Sequence, residues 1–185
     1  AILMLSSLFL MAMVQSAGAP VVINEFSYDD SGTDDREYVE LYNATNAAID
    51  ISGWKLDSAD QVGPNTAFTI PANTKLAAGG FYVMGSALVP KVNQVVGTTN
   101  IWENSQESLT LRDAKGKIID TLVYEANKLS ATNTWYTKPE SLLEGEGVWG
   151  NFVSIDNHET SFSRHIDGLD TGDNRDFQIL PSTPG

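Results

Sequence analysis

Carboxylates gather at two places in the chain, and they are the residues best able to do chemistry. Asp29, Asp30, Asp34, Asp35 and Glu37 share one short segment, and Asp167, Asp170, Asp173 and Asp176 recur at every third position. Hard cations such as Ca²⁺ take six to eight oxygen ligands from flexible loops, so either segment could supply a calcium site, and the second set is the candidate metal cluster. Neither has the Asp-x-Asp-x-Asp-Gly order of an EF-hand. Asp and Asn also cap turns through side chain to backbone bonds, so the competing reading is a solvated acidic turn. The two histidines are His158 and His165. A Ser-His-Asp set could be drawn from Ser161, His158 and Asp156, but near neighbours on a strand alternate faces and cannot meet. No G-x-S-x-G, H-E-x-x-H or P-loop occurs, and no catalytic residue is assigned. Trp102, Trp135, Tyr136 and Trp149 fall in or near loops, where rings stack on sugars or close the ends of a core.

These residues stand in a chain of 185 residues, with 24 acidic and 11 basic side chains and net charge −13. Such a charge repels phosphate backbones and disfavours nucleic acid as a partner. Cysteine is absent, which excludes a disulfide framework, a Cys-ligated zinc and a thiol nucleophile. Residues 1–14 are apolar apart from Ser6 and Ser7, and Gln15-Ser16-Ala17-Gly18-Ala19 follows. This pattern reads as the apolar and cleavage regions of a secretory leader spanning 1–19, with a retained anchor as the alternative. A spanning helix needs about 20 apolar residues, so the chain is not expected to cross a membrane unless the leader is kept. Residues 20–185 then form one exported domain, held together by core packing and sheet hydrogen bonds.

Period-two alternation marks the elements. Val39 and Leu41 oppose Glu40, Trp54 and Leu56 oppose Lys55, and Leu109 and Leu111 oppose Thr110. Strands are expected near 21–26, 37–43, 48–51, 54–58, 66–70, 80–84, 108–112, 118–123 and 161–165. Asp113-Ala114-Lys115-Gly116 reads as a tight hairpin with Gly in a left-handed position. Residues 124–150 read as a long loop with a helical turn at 140–143. Many short strands with frequent turns predict an all-β sandwich or barrel.

The order of motifs resembles the lamin tail domain, in the form found in exported bacterial and archaeal proteins. The resemblance is carried by Val22-Ile23-Asn24-Glu25-Phe26, Glu37-Tyr38-Val39-Glu40-Leu41-Tyr42-Asn43, Ser52-Gly53-Trp54-Lys55-Leu56, Gly79-Gly80-Phe81-Tyr82-Val83 and Glu107-Ser108-Leu109-Thr110-Leu111. Ser161-Phe162-Ser163-Arg164 and Asp170-Thr171-Gly172-Asp173-Asn174 extend it towards the C-terminal side. It implies an immunoglobulin-like antiparallel β-sandwich without an active site. In nuclear lamins such a domain follows a coiled-coil rod and docks proteins; this chain lacks the rod and is strongly acidic. Trp54 is expected in the core. Glu25, Glu40 and Asn43 are expected at strand ends or on polar faces, bonded to loop backbone and to Arg36 or Arg164. The functional expectation is a secreted or cell-surface, non-catalytic module for a protein or cell-surface partner. A polysaccharide-binding domain and a calcium-stabilised matrix domain are the alternatives.

Overall fold

A computed structural model describes residues 18–60, 64–104, 107–125, 144–145, 148 and 160–185. Twelve strands occur among them: β1 (Val21–Ser27), β2 (Tyr38–Asn43), β3 (Ile49–Asp50), β4 (Lys55–Asp60), β5 (Pro64–Thr69), β6 (Lys75–Leu76), β7 (Phe81–Ser86), β8 (Gln94–Gly97), β9 (Glu107–Arg112), β10 (Ile118–Tyr124), β11 (Thr160–Arg164) and β12 (Phe177–Pro181). Helix among the described residues is limited to a 3₁₀ turn at Asn174–Asp176. None of those residues forms a helix long and apolar enough to cross a membrane.

One layer is a six-stranded sheet in the order β12-β11-β1-β2-β7-β8; the other has the order β10-β9-β4-β5, and β3 pairs with β6 at one end. All pairs are antiparallel except β7 with β8. This is an all-β sandwich, as the alternation predicts, and of the immunoglobulin-like form that the resemblance implies. Each strand turns one side inward: Val39 and Leu41 from β2 meet Leu109 and Leu111 from β9 and Leu122 and Tyr124 from β10 in one buried cluster. All nine expected strands are present, with bounds shifted by one or two residues. β6, β8 and β12 were not expected. β6 is two residues long, and β8 and β12 are edge strands, where one open side weakens the alternation. The helical turn expected at 140–143 and residues 1–17 of the expected leader lie outside the described residues.

Two local features set the core. Gly53 takes a left-handed φ of +72°, closing a turn in which the Trp54 amide donates to the Ile51 carbonyl at 3.1 Å. That turn delivers the Trp54 ring into the cluster, where the residue is 9% exposed. The β9–β10 hairpin closes as expected. Gly116 has φ +85°, its amide donates to the Asp113 carbonyl at 2.9 Å, and the Asp113 carboxylate accepts the amides of Lys115 and Lys117.

β1 and β2 slip register between Ile23 and Glu25, a bulge that inserts Asn24. It explains why the inward residues of this strand are Ile23 and then Phe26, three apart rather than two. A second slip lies between Ile118 and Asp120, and from there regular alternation keeps Asp120 on the side of Leu122 and Tyr124. The β1 bulge and the inward Asp120 bring the site together.

Candidate functional site

The β1 bulge leaves backbone groups of Ile23 outside the strand ladder, and two charged side chains take them. Asp120 reaches from the opposite sheet and accepts the Ile23 amide at 2.6 Å. Arg164, at the end of β11, donates through Nε to the Ile23 carbonyl at 2.9 Å. Its guanidinium also donates to Asp120 and Asp176, both at 3.2 Å, and to the Leu169 carbonyl at 2.6 Å. It lies 4.7 Å from the centre of the Phe177 ring. Arg164, Asp120 and Asp176 are all buried. Asp176 accepts the amide and hydroxyl of Thr171, which fixes the loop after β11.

The four aspartates of the candidate metal cluster do different work in this loop. Asp167 accepts the Asn24 side chain at 3.0 Å. Asp170 accepts the amides of Ala19 and Gly172. Asp173 caps the 3₁₀ turn and pairs with the exposed Arg175. Asp176 belongs to the Arg164 network. Among the described residues, the carboxylates that do converge are Asp120, Glu144 and Asp170, one oxygen from each lying within 4.8 Å of the others. Asp120 and Glu144 were not candidates from the sequence. The signal for Asp120 was a charged residue inside the apolar run Ile118-Ile119-Asp120-Thr121-Leu122; nothing marked Glu144. Arg164 stands in the same cluster, 3.9 Å from Asp170.

Glu25, Glu40 and Asn43 bond to loop backbone as expected, but no arginine joins them among the described residues. Arg164 is held on the other side of β1 by Asp120 and Asp176. Glu25 accepts the hydroxyls of Tyr38, Ser161 and Thr183 and the Thr183 amide. Glu40 accepts the Gly185 amide at 2.6 Å and the Asn24 side chain at 3.0 Å. The Asn43 amide nitrogen donates to the carbonyls of Ala47, Leu76 and Ala77, and its oxygen accepts from Thr45. Asn43-Ala44-Thr45 reads as an N-glycosylation acceptor, yet its Asn is fully enclosed in the folded domain. Asn43→Ala removes a buried donor shared by three carbonyls, of which those of Ala47 and Ala77 keep the Thr45 hydroxyl and the Gly80 amide, and a loss of about 1–3 kcal/mol in chemical unfolding is expected.

The first acidic segment is likewise structural. Asp34 accepts the Asp30 amide and the Asn104 side chain, and Asp30 accepts the Arg36 amide. Glu37 is buried and takes the amides of Ile101 and Trp102. Trp102, a candidate sugar platform, is instead 3% exposed and packs edge-on to Phe68, so it offers no face to a sugar. It closes the core because the loop preceding β9 folds inward onto Glu37. Trp135, Tyr136 and Trp149 lie outside the described residues, as do His158 and Asp156. Ser161 is buried with its hydroxyl on Glu25, and the exposed His165 places Nδ1 3.2 Å from the Asp176 carbonyl.

Burial sets the titration of this network. It pushes Glu37 and Glu144 up to about 8 and Glu40 to about 7, against 4.5 for a free Glu. It lifts Asp120 from 3.8 to about 6 even though Arg164 pulls the other way. A carboxyl whose pKa is higher when folded binds its proton more tightly in the folded state. Its contribution is therefore full below the unfolded pKa and is lost as pH rises through the folded one. The melting midpoint is expected to rise by several degrees from about pH 8 to about pH 5.5. The rise should persist in about 0.5 M salt, which screens the surface repulsion. A midpoint that falls over this range contradicts the burial of these acids.

No curated protein matches the chain. A family model described as Lamin Tail Domain matches residues 14–126, which takes in β1 to β10 and leaves β11 and β12 beyond it. With that match over more than half its length and an immunoglobulin-like sandwich of this form, the chain belongs to the lamin tail domain family.

Proposed function

We propose that this domain is a non-catalytic interaction module of an exported protein, presenting its rim to a protein or cell-surface partner. One observation carries the reading: the buried acids and arginine whose bonds are described hold backbone and loops, and the hydroxyls that meet them, Ser161 and Thr183 on Glu25 and Thr171 on Asp176, are spent on the same contacts. The polar groups that looked like chemistry are occupied in building the rim. Large apolar side chains, by contrast, stand open at its edges, with Leu88, Val95, Ile166 and Ile179 between 49% and 60% exposed. The net charge of −13 favours a basic partner and disfavours nucleic acid. The apolar leader supports export. The test is capture of a partner from the producing cell's envelope or extracellular fraction, then titration with that purified partner at low and high salt. Affinity should fall as salt rises. Turnover of an ester, phosphate or glycoside substrate by the purified domain would contradict the proposal.

Calcium stabilisation is the second reading, and the convergence of Asp120, Glu144 and Asp170 favours it. On that reading millimolar Ca²⁺ raises the melting midpoint and EDTA lowers it. An unchanged midpoint removes the reading and leaves Arg164 as the cation that serves these carboxylates.

A further inference from the structure

The outer face of the six-stranded sheet carries a covered acidic row. Glu25 on β1 and Glu40 on β2 are register partners, 2% and 1% exposed, and neither is ion-paired among the described residues. What covers them is residues 182–185. Pro181 ends the ladder of β12, and the chain then crosses β1 and β2 towards Lys91, which donates to the Gly185 carbonyl. The crossing segment meets the row with donors. The Thr183 amide and hydroxyl reach the two oxygens of Glu25 at 2.8 and 3.0 Å, and the Gly185 amide reaches Glu40 at 2.6 Å. Ser182 bonds the Tyr38 hydroxyl at 2.8 Å. Pro184, between the two donor residues, is buried beside a cavity of about 100 Å³ lined by Tyr38, Val89 and Pro90.

The row therefore reads amide groups two residues apart, one hydroxyl and a proline ring, a chemistry that any extended peptide of that pattern supplies. We propose that residues 182–185 are a detachable cover, and that the row beneath accepts an extended Ser/Thr-Pro-Gly-type peptide of a partner in their place. The inference rests on the docking function above and locates its surface. Detachment is physically permitted because the floor is polar. Uncovered carboxylates gain water, so opening leaves no charge buried and unsolvated. The segment has no strand ladder of its own beyond Pro181, whereas β12 is anchored by the buried Phe177.

Two measurements on the full chain test it. In the unaltered protein, amide hydrogen exchange at Thr183 and Gly185 should be at least about 100-fold faster than at Val39 and Leu41, by local opening. Exchange at the same rate as β2 would make the segment part of the folded unit and overturn the proposal. The second uses the double substitution Thr183→Pro and Gly185→Pro, which removes both amide donors; proline also cannot adopt the φ of +79° at Gly185. NMR titration of this variant with a synthetic peptide of residues 181–185 should shift the amides of Glu25, Tyr38 and Glu40. The same peptide should bind the unaltered chain about tenfold more weakly, because the resident segment competes at about millimolar effective concentration. A folded variant that ignores the peptide, a variant that fails to fold, or equal binding to both chains each contradicts the inference. Partner binding that survives while the peptide is ignored sinks the row alone and leaves the interaction function standing.

Discussion

Replacing Arg164 with Ala is expected to destabilise the domain by about 3–5 kcal/mol, because it removes one partner from a buried ion-paired network. The guanidinium joins four acceptors: the carbonyls of Ile23 and Leu169 and the carboxylates of Asp120 and Asp176. Without it, two buried carboxylates face each other's surroundings with no cation between them, and the Ile23 carbonyl at the bulge loses its donor. For a domain of this size the melting midpoint should fall by roughly 6–20 °C. The deficit has a pH signature. Asp120 is already raised to about 6 by burial against the pull of Arg164, and removing that pull raises it further. A protonated Asp120 needs no cation, so the loss should shrink as pH falls towards about 5. Thermal melts of the variant and the parent at two pH values check both statements. Arg164→Lys should recover part of the loss by restoring the charge, but not the forked contacts.

Phe26→Ala is expected to cost about 3–5 kcal/mol by a different mechanism, a cavity at the centre of the core. Phe26 is fully buried, and its ring stands 5.4 to 5.6 Å from those of Phe162, Tyr124 and Phe177. Those rings belong to β11, β10 and β12, so one side chain joins the two layers and the C-terminal strands. Tyr28 and Tyr124 stack at 4.1 Å beside it, and such pairs add to the area they bury. Phe26→Leu should lose markedly less, since it leaves a smaller void. Ile179→Ala, at an exposed edge position, should stay within about 0.5 kcal/mol of the parent. Equilibrium denaturation of the three variants orders them.

The two variants also show where the sequence was readable. Alternation located the strands that carry Val39 and Leu109, because each sets apolar against polar side chains along its length. It placed Trp54 inward because a turn glycine precedes it. It could not reveal β8 or β12, whose open edges relax the alternation. Nor could it show that Glu25 and Glu40 are buried. Their strands present them on the outer face, and what covers that face lies some 145 to 158 residues away in the chain. The Arg164 partners failed for a related reason. Asp120 shares a face with Leu122 by plain alternation; what stays hidden is the bulge at Asn24, which frees the Ile23 backbone groups that Asp120 and Arg164 take. A register slip flips every following side chain, and no local pattern in the sequence announces it. The regular run Asp167, Asp170, Asp173, Asp176 suggested one shared ligand. The loop instead divides them among Asn24, Ala19, Arg175 and Arg164.

The central claim is that the conspicuous charges of this domain hold its C-terminal strands to the sandwich. A double-mutant cycle on Arg164→Ala and Asp120→Ala, followed by chemical denaturation, tests it most directly. If the pair acts as described, the double variant is more stable than the sum of the two single losses implies, by about 2–3 kcal/mol. Single losses that simply add, with coupling within about 0.5 kcal/mol of zero, would show that Arg164 and Asp120 do not act together and would contradict the account.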